Sequence, residues 1–377
     1  WKNLKKNNVH LILCVGGCVS SQIGKEIFKR APYVDIVFGP QTIYLLPEMI
    51  RSFEKSKNRI INVRSTSRNK KFQNNHQIAK KSISSFISII EGCNKKCSFC
   101  IVPTTRGKEF SRPSEEIFVE IKQLVSEGCR EFHLLGQNVN AYRYVQQDGK
   151  ICNFSQLIQQ ISSINGVERI KFSTSHPNHF TEDIIELYSN VPQLIDYVHI
   201  PIQSGSNRIL KKMKRSYSVE RYKKIVEKIR TVRPNMLFGS DFIVGFPGEK
   251  EEDFLKTMRV IKEVDFDVSF SFIYSIRPGT AASLLDDNIN EYEKRNRLYS
   301  LQNLIEKQVI KHSKEMINQI QKILVISTDQ HDPKKLIGFS NKNRRVVFYG
   351  QKEMIGNFVN VKITHFYGKK LYGEISR

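Results

Sequence analysis

The sequence predicts an α/β protein: an open, partial (βα)6 TIM-like barrel, with a truncated N-terminal α/β domain before it and a small antiparallel β-barrel after it. Three observations predict this architecture. Between residues 82 and 313, short apolar runs alternate with amphipathic helical patterns, which indicates a parallel sheet with right-handed crossovers. Residues 314–377 hold short strand patterns separated by turns, typical of a small barrel. A polar, basic stretch over 65–81 is typical of a linker and follows the first domain.

The first domain covers residues 1–64. The apolar run from Val9 to Val15 ends in Gly16-Gly17-Cys18, which predicts a buried strand, with Cys14 in its core, that stops at a glycine turn and presents a thiol. A helix over 21–30, a strand over 34–38 and a short helix over 47–54 follow. Because the chain starts at Trp1 and not at Met, we expect a fragment that lacks an N-terminal piece.

The central barrel is predicted from its regular alternation. Predicted strands cover 86–90, 132–135, 169–173, 197–202, 237–244 and 268–274, and predicted helices cover 154–164, 181–189, 219–232 and 251–264, with one more starting at Ser114 and a long one near Glu291. Six units are fewer than the eight of a closed barrel, so we expect an open one with its site at the carboxyl ends of the strands.

Polar, glycine-bearing loops fall where that site would be. They contain Cys93, Gly136-Gln137-Asn138, Ser173 to Pro177, Pro201 to Ser206, and Asp241 to Glu249. Each loop by itself is also explained by ordinary turn chemistry, since Gly, Asn, Ser and Pro favour turns. Their convergence on one rim of the barrel favours a functional site.

Three cysteines follow the first strand in the pattern C-x-x-x-C-x-x-C, from Cys93 through Cys97 to Cys100. Three thiolates are one too few for a closed zinc site or a fully ligated cubane, so a [4Fe-4S] cluster held here would keep one open iron. The amino-acid end of S-adenosylmethionine could chelate that iron. The alternatives are a zinc site completed by a histidine and three buried thiols, but the second ligand pair that zinc sites usually have does not lie near.

Composition restricts the class of partner. The 377-residue chain carries a net charge of +23 with a pI near 9.7, which predicts attraction to a polyanion such as nucleic acid. An AT-rich genome, which enriches Lys, Asn and Ile, is the alternative explanation. No apolar run approaches the length of a bilayer span, so we expect no membrane partner. Seven cysteines, three of them clustered, suit a reducing cytoplasm.

The C-terminal barrel combines bases with aromatic rings. Arg344, Arg345 and Lys369 lie beside Tyr349 and Tyr367 in the sequence, with Lys342, Phe348, Phe366 and Lys370 also close by. Such mixtures suit single-stranded RNA, whose phosphates are neutralised while unstacked bases pack on the rings. The alternative is an ordinary barrel core with a solvated basic rim.

Several long motifs resemble the radical S-adenosylmethionine methylthiotransferases, and the resemblance covers essentially the whole chain. The motifs are Glu91 to Gly107, Ser111-Arg112-Pro113-Ser114, Leu135 to Asn140, Val15 to Val19, Phe38 to Thr42, Ser173 to Pro177, Ile202 to Ser206, Ser240 to Glu249 and Arg277 to Thr280. The resemblance implies a remnant of an N-terminal methylthiotransferase domain (1–64), a linker (65–81), a radical core (82–313) and a C-terminal TRAM domain that grips tRNA (314–377).

The resemblance also implies roles for individual residues. Cys93, Cys97 and Cys100 would hold one [4Fe-4S] cluster, and Cys18 would be one of three ligands of a second, auxiliary cluster whose other two cysteines lie upstream of Trp1. S-adenosylmethionine would be bound by residues of the polar loops: Gly136, Gln137, Asn138, Ser175, Gln203, Ser204, Asp241 and Gly245. The tRNA would be bound by Arg106, Arg112, Arg277, Arg344 and Arg345.

The activity implied is that of a transferase that methylthiolates carbon 2 of N(6)-isopentenyladenosine beside the tRNA anticodon. Its partners would be tRNA, an electron donor of the flavodoxin or ferredoxin type and a sulfur source, and the protein would be a cytoplasmic monomer. Three alternatives remain open: a sister enzyme acting on threonylcarbamoyl-adenosine, one acting on a ribosomal protein, and an RNA-binding remnant that no longer inserts sulfur.

Overall fold

A computed structural model describes residues 1–63 and 82–376, so the predicted linker over 65–81 lies outside the described residues. The chain divides into two compact units. The first unit comprises Trp1–Ala79, as far as it is described, with Glu91–Lys95 and Cys100–Phe110. The second comprises Lys80–Ile90, Lys96–Phe99 and Ser111–Arg377. The division into four segments predicted from the sequence stays a prediction.

The first unit contains a three-stranded parallel sheet in the order β1-β2-β3. Its elements are α1 (Lys2–Asn7), β1 (Cys14–Gly16), α2 (Cys18–Ile23), α3 (Glu26–Arg30), β2 (Ile36–Phe38), a 3-10 turn (Pro40–Leu45), α4 (Leu46–Ser56) and β3 (Ile60–Asn62). Its core packs Ile36 and Phe38 against Met49 and Phe53 of α4. The predicted strand over 9–15 is only three residues long, and Cys14 is exposed, so the prediction that Cys14 is a core residue is wrong.

The barrel of the second unit is built from six parallel strands in two sheets. The elements between residues 84 and 314, of which α5 and parts of β5 and β6 belong to the first unit, are as follows: β4 (Ser84–Ser88), β5 (Ile90–Glu91), α5 (Val102–Thr105), β6 (Phe110–Ser111), α6 (Ser114–Ser126), β7 (Glu131–Leu135), β8 (Arg143–Val145), β9 (Ile151–Asn153), α7 (Phe154–Ser162), β10 (Arg169–Phe172), α8 (Glu182–Asn190), β11 (Tyr197–His199), α9 (Asn207–Lys212), α10 (Val219–Val232), β12 (Leu237–Val244), α11 (Glu251–Val264), β13 (Ser269–Ile273) and α12 (Glu291–Lys314). Short 3-10 turns lie at Val139–Ala141, Pro177–His179 and Ala281–Leu284.

The sheets run in the orders β4-β7-β10 and β11-β12-β13, and a parallel bridge between Ile170 and Leu194 joins their neighbouring edges. Strands β4 and β13 are therefore the two edges of an open sheet. This is the predicted partial barrel, and the fold class is confirmed.

Strand alternation separates an outer from an inner face. Outward residues such as Ile87, Leu134 and Ile170 are fully buried in the large core under the helices, while His133 and Lys171 lie on the opposite face of their strands. The helix predicted to start at Ser114 begins there. The hairpin β8–β9 and the short helix α9 were not predicted, because neither has a long periodic pattern.

The C-terminal part closes into a five-stranded barrel in the order β14-β15-β16-β18-β17. Its strands are β14 (Ile320–Thr328), β15 (Lys335–Ser340), β16 (Arg345–Tyr349), β17 (Phe358–Tyr367) and β18 (Lys370–Ile375), with a 3-10 turn at Lys352–Met354. The barrel was predicted to be antiparallel, and all its pairs are except β16 with β18, which run parallel. A closed barrel removes the exposed strand edges that favour aggregation.

Buried ions join this small barrel to the strands of the large one. Arg169 donates to the backbone oxygen of Phe339 at 2.9 Å. Lys171, which pairs within the large barrel with Glu131 at 2.9 Å, lies 5.3 Å from the centre of the Phe339 ring. Arg344 pairs with the buried Asp267. Burial lowers the pKa of Arg169 and of Lys171 and raises that of Asp267, partly offset by their partners. These contacts lie at the amino ends of the strands, away from the loops in which the site is predicted.

Candidate functional site

The first cysteine of the loop sits in a tight turn. Gly92 has a φ of +82°, and a side chain there would place its Cβ 2.6 Å from the backbone oxygen of Gly107, so only glycine fits. The backbone N–H of Cys93 donates to that same oxygen at 3.1 Å. Asn94 and Glu109 add two hydrogen bonds of 3.1 Å each. The turn therefore fixes the backbone that carries Cys93.

Two N–H donors point at sulfur atoms of the loop. The backbone N–H of Lys95 lies 3.4 Å from Cys93 Sγ, and Arg215 Nη1 lies 3.4 Å from Cys97 Sγ. Donors of this kind stabilise a thiolate over a thiol, most of all when they carry a charge. Since a thiolate is the form that ligates iron, these contacts suit metal ligation.

Arg215 is held by more than the sulfur. Its guanidinium is buried and also donates to Tyr217 Oη at 2.7 Å and to the backbone oxygen of Pro201 at 2.8 Å. Burial lowers the pKa of Arg215, but its interactions with Tyr217 and Cys97, which include hydrogen bonds to both, together raise it by more. Burial also raises the pKa of Tyr217 to about 12, so this phenol is neutral. Arg215 was not predicted as a site residue, although the basic run over 211–215 follows a predicted site loop.

The middle of the cysteine loop is anchored in the second unit. The backbone N–H and the hydroxyl of Ser98 donate to the backbone oxygens of Met213 and Lys212, each at 2.9 Å, and the backbone oxygen of Ser98 accepts from Ala282 at 2.7 Å. Phe99 packs on a small apolar cluster that includes Met213 and Ala282. Residues 97–99 are thereby fixed beside the barrel strands.

The donor chemistry of the loop fits an iron–sulfur cluster. All seven cysteines are described and none is in a disulfide. Within residues 1–63 and 82–376, no three His, Cys, Asp or Glu side chains converge closely enough to hold a metal ion. The assignment of Cys93, Cys97 and Cys100 as ligands therefore rests on their spacing and on the donors around them. It stays a prediction.

A cavity of about 290 Å³ lies next to Phe99 in the second unit. It brings together three residues predicted from different loops, Gln203, Asp241 and Arg277, and its other lining residues are Phe99, Ile243, Phe272, Ile273, Tyr274 and Ser275. Apolar walls with a few polar groups are typical of sites for small ligands. The sequence predicted that the loops of Gln203 and Asp241 meet on one rim of the barrel, whereas Arg277 was predicted to bind tRNA phosphates.

Hydrogen bonds orient the acidic group of this cavity. Asp241 Oδ1 lies 2.9 Å from His199 Nε2, and His199 Nδ1 lies 3.3 Å from Tyr197 Oη. The backbone of Gln203 bonds to strand β12 on both sides, to Asp241 and to Ile243, and has a positive φ of +75°. A left-handed conformation at a residue other than glycine is strained, and such residues are enriched at functional sites. His199 was missed because it lies within a predicted strand.

The other predicted cofactor-binding residues lie in varied surroundings. Ser175 is buried, and its hydroxyl has no hydrogen-bond partner among the described residues. Gly136 packs so closely that a Cβ would lie 2.4 Å from the side chain of Ile90. Asn138 lies 3.5 Å from His179, and Gln137 follows β7 in the same loop.

Two predicted cofactor-binding residues face away from the cavity. The hydroxyl of Ser204 lies 3.5 Å from that of Thr257 and accepts from Ser206. Gly245 has a φ of +66° and faces the side chain of Lys294. Both residues thus make structural contacts, and neither lines the cavity.

Two of the predicted phosphate-binding arginines, Arg112 and Arg344, form ion pairs with carboxylates. Arg112 is 2% exposed and pairs with Glu116 and Glu120, so its guanidinium is not accessible to a phosphate, and Arg344 is held by Asp267 as described above. For these two residues the structure replaces the predicted contact with tRNA by an internal one. Arg106 lies 3.6 Å from Glu91, Arg277 lines the cavity, and Arg345 stays partly exposed.

The predicted cysteine of the auxiliary cluster, Cys18, is the first residue of α2 and is half-buried. It follows Gly17, whose φ of +116° confirms the glycine turn predicted before this thiol. In the C-terminal barrel, Tyr349 and Tyr367 are exposed, whereas Phe348 is buried in the barrel core. The exposed tyrosines are thus the rings on which RNA bases could stack.

Two family models match the chain: the radical SAM superfamily over residues 87–261 and the TRAM domain over residues 314–376. In a solved cobalamin-dependent S-adenosylmethionine radical enzyme, OxsB, 14% identical, the likeness covers 81% of this chain and 45% of that one with a TM-score of 0.50. That likeness shows a shared fold alone. Together with the six-stranded barrel, the two family models define a radical SAM enzyme that carries a TRAM domain.

Curated relatives give the family. The tRNA-2-methylthio-N(6)-dimethylallyladenosine synthase of Haemophilus influenzae strain PittGG is 49% identical over 377 residues, which is all of this chain and 79% of that protein. The enzyme of the same name from Buchnera aphidicola subsp. Schizaphis graminum is 51% identical over 375 residues, covering 100% of this chain and 85% of the relative. The chain belongs to the family of tRNA-2-methylthio-N(6)-dimethylallyladenosine synthases.

The family confirms several predictions made from the sequence. The protein is a radical SAM transferase of the methylthiotransferase type, and its cofactors are a [4Fe-4S] cluster and S-adenosylmethionine. A tRNA partner agrees with the family name and with the TRAM domain. Among the described residues, no helix is both long and apolar enough to cross a bilayer.

Proposed function

We propose that this protein transfers a methylthio group to carbon 2 of N(6)-isopentenyladenosine next to the anticodon of tRNA. The proposal rests on relatives of about 50% identity over the whole chain, all named for this product. None of these relatives is named for threonylcarbamoyl-adenosine or for a ribosomal protein. An RNA-binding remnant would not need the cavity that Phe99, Gln203 and Asp241 line.

Cys93, Cys97 and Cys100 are the proposed ligands of the [4Fe-4S] cluster. With S-adenosylmethionine bound, this group supplies a 5′-deoxyadenosyl radical, and the protein excludes water and fixes geometry. Arg215 stabilises the thiolate of Cys97 and links it to the segment after strand β11 through the backbone oxygen of Pro201. Cys18 is the proposed ligand, within this chain, of the auxiliary cluster.

S-adenosylmethionine is proposed to occupy the cavity beside Phe99. Asp241, oriented by His199, and Gln203 are placed to accept and donate hydrogen bonds to ribose and amino-acid groups. Ser175 offers a buried hydroxyl for the same ligand, and the backbone of 136–138 lies at the end of the neighbouring strand β7. The apolar side chains of Phe99 and Ile243 provide flat contact for an adenine ring.

The substrate is proposed to bind through phosphates and through one extruded base. An anticodon-loop base is already single-stranded, so moving it into the barrel costs only a few kcal/mol. Arg106, Arg277 and Arg345 are the predicted arginines that keep accessible surface, and Tyr349 and Tyr367 add exposed rings. We further propose a flavodoxin- or ferredoxin-type electron donor, a separate sulfur source, a monomeric state and a cytoplasmic location.

The observation that carries the residue assignment is the meeting of Gln203, Asp241 and Arg277 in one cavity that Phe99 also lines. To test it, the affinity for S-adenosylmethionine is measured by anaerobic equilibrium dialysis on the reconstituted protein. Gln203→Ala and Asp241→Asn should each weaken binding about tenfold or more, since each removes a hydrogen bond of about 1.5 kcal/mol or more to a polar ligand.

Gln193→Ala is the matched control, since this amide lies on a loop at the opposite end of the strands and donates to the backbone oxygen of Ser162. Unchanged affinity in both cavity variants, or an equal loss in the control, would contradict the assignment. For the substrate, tRNA nucleosides from a deletion strain should lose 2-methylthio-isopentenyladenosine and accumulate isopentenyladenosine. An unchanged nucleoside profile would reject the proposed reaction.

A further inference from the structure

Two phenylalanines of the edge strand β13 leave more than half of their surface exposed, Phe270 55% and Phe272 57%. Side chains alternate along a strand. On this strand Ser269 and Ser271 line a cavity together with Ile305 and Val309 of α12, so they face the outer helix layer. Phe270 and Phe272 therefore face the opposite way, onto the inner face of the open barrel.

The neighbours of the two rings confirm this placement. In the parallel register, Phe270 is opposite Asp241 and Phe272 is opposite Ile243. The ring of Phe270 lies 5.8 Å from the imidazole of His199, which in turn holds Asp241. The two rings thus form one apolar wall beside the polar His199–Asp241 pair.

This wall is continuous with the cofactor cavity. Phe272 lines that cavity together with Ile243, Gln203, Asp241 and Arg277. Phe270 lies two residues closer to the amino end of the same strand. In a reaction begun by a radical on the cofactor's ribose, the reacting base must lie directly beside that ribose. The surface next to the cavity is therefore where the base and its substituent must be accommodated.

Exposing two neighbouring phenylalanine rings to water is unfavourable in free energy. Each ring can bury a large apolar area when a ligand covers it. We propose that Phe270 and Phe272 form the binding wall for the dimethylallyl group of the substrate and so determine its specificity. The inference rests on the proposed function and goes beyond it by assigning the residues that recognise the substituent.

The chemistry of the wall selects among substituents of adenosine. A dimethylallyl group is apolar throughout and gains from contact with two rings. A threonylcarbamoyl group carries a carboxylate and a hydroxyl, and burying these against phenylalanine without hydrogen-bond partners is unfavourable. Asp241, next to Phe270, would also repel that carboxylate. The wall therefore distinguishes the two substrate classes by desolvation and by charge.

The test uses the reconstituted full chain and two anticodon stem-loops that differ only in the dimethylallyl group. Dissociation constants are measured anaerobically by fluorescence anisotropy, and the ratio between the two RNAs is the readout. Phe270→Ala and Phe272→Ala should each reduce the preference for the prenylated RNA by about tenfold or more, the scale of lost apolar pocket contacts. Phe272→Leu, which keeps an apolar side chain, should retain most of the preference.

The control is Leu255→Ala, on the outer helix α11, because Leu255 is exposed to the same extent as Phe270, 55%. It should leave the ratio unchanged. A parallel measurement of S-adenosylmethionine affinity separates the wall from the cofactor cavity: loss of cofactor affinity with an unchanged RNA ratio would overturn the inference. Equal weakening of the binding of both RNAs would overturn the inference as well. No change in the binding of either RNA would also overturn it, by showing that another part of the chain covers the two rings.

The same data separate this inference from the proposed function. A wild-type protein that binds both RNAs equally would contradict the proposed substrate. A wild-type protein that prefers the prenylated RNA, with variants that keep this preference, would contradict only the role of Phe270 and Phe272.

Discussion

Substitution of Arg297 by methionine should destabilise the loop that follows strand β12. Arg297 is buried in α12 and donates from Nη1 to Glu249 Oε2 at 2.9 Å. The same carboxylate oxygen accepts from the backbone N–H of Gly245 at 2.7 Å. At this distance two unit charges attract each other by roughly 6 kcal/mol at an effective dielectric constant of about 20. The cost of desolvating both groups reduces the net stabilisation.

Removal of the arginine leaves the carboxylate of Glu249 buried with one backbone donor. Breaking a buried pair in this way costs about 3–5 kcal/mol, which we expect as the loss in unfolding free energy measured in urea at pH 7. Burial already raises the pKa of Glu249, and the Gly245 N–H and Arg297 counteract it. Without Arg297 the pKa rises further, so the loss should be largest at neutral pH and should diminish as the pH falls and the carboxyl is protonated.

A double-mutant cycle isolates the pair. Adding Glu249→Gln to Arg297→Met should restore much of the lost stability, with a coupling of about 1–3 kcal/mol. Arg259→Met, at an exposed position of α11, is the control and should change stability by less than about 0.5 kcal/mol. Additive effects, or a loss in Arg297→Met that does not depend on pH, would refute the description of a buried ion pair.

Three further predictions concern other parts of the second unit and the cysteine turn. Burial, and then the charge of Lys171, lowers the pKa of His133 to about 4, below its unfolded value of about 6.5, so stability should fall by roughly 3 kcal/mol as the pH falls from 6.5 to 4; His133→Asn should flatten this dependence in urea unfolding, and an unchanged slope would contradict it. Arg344→Met should lower the unfolding free energy by about 3–5 kcal/mol, because it leaves Asp267 buried and unpaired, whereas a neutral effect would show that the pair contributes nothing. Gly92→Ala should reduce the iron content after reconstitution with little change in tRNA affinity, because the left-handed turn cannot hold a side chain; full iron incorporation would disprove the strained-turn account.

The fold was largely predictable because its signals are local and repeated. The helices Val219–Val232 and Glu251–Val264 and the strand Leu237–Val244 have the predicted bounds, since long periodic segments with caps carry a strong signal. The three-residue strand at Cys14 and the hairpin β8–β9 were mispredicted or missed, because short elements depend on tertiary pairing. The parallel pair in the C-terminal barrel could not be read from strand patterns alone.

The sequence indicated the end of the strands at which the site is proposed to lie, but it did not indicate the side-chain contacts there. Loop position predicted that Gln203 and Asp241 lie on one rim of the barrel, and both line the same cavity. Arg277, which lines it as well, was assigned to the tRNA and not to this rim. The burial of Arg112 between two glutamates and the orientation of Ser204 towards Thr257 depend on how helices pack, which the sequence does not state. Arg215 was missed for a related reason, since its contact with Cys97 joins residues far apart in the chain.

The exposed phenylalanines show the same limitation. Phe270 and Phe272 belong to an apolar strand and would be assigned to the core from sequence. Only the open edge of the sheet leaves them on an uncovered inner face. Residues that recognise a substituent can therefore be hidden in a pattern that predicts ordinary packing.

The central claim is that the thiolates of one loop hold a cubane whose open iron binds S-adenosylmethionine. The most direct measurement is the yield of 5′-deoxyadenosine, with iron content, from anaerobically reconstituted Cys97→Ala protein beside wild type and a Cys152→Ala control, whose thiol is buried away from the loop. We expect cofactor cleavage in wild type and control, none in Cys97→Ala, and similar tRNA affinity in all three. Cleavage that persists in Cys97→Ala, or zinc in place of iron in the wild-type protein, would contradict the claim.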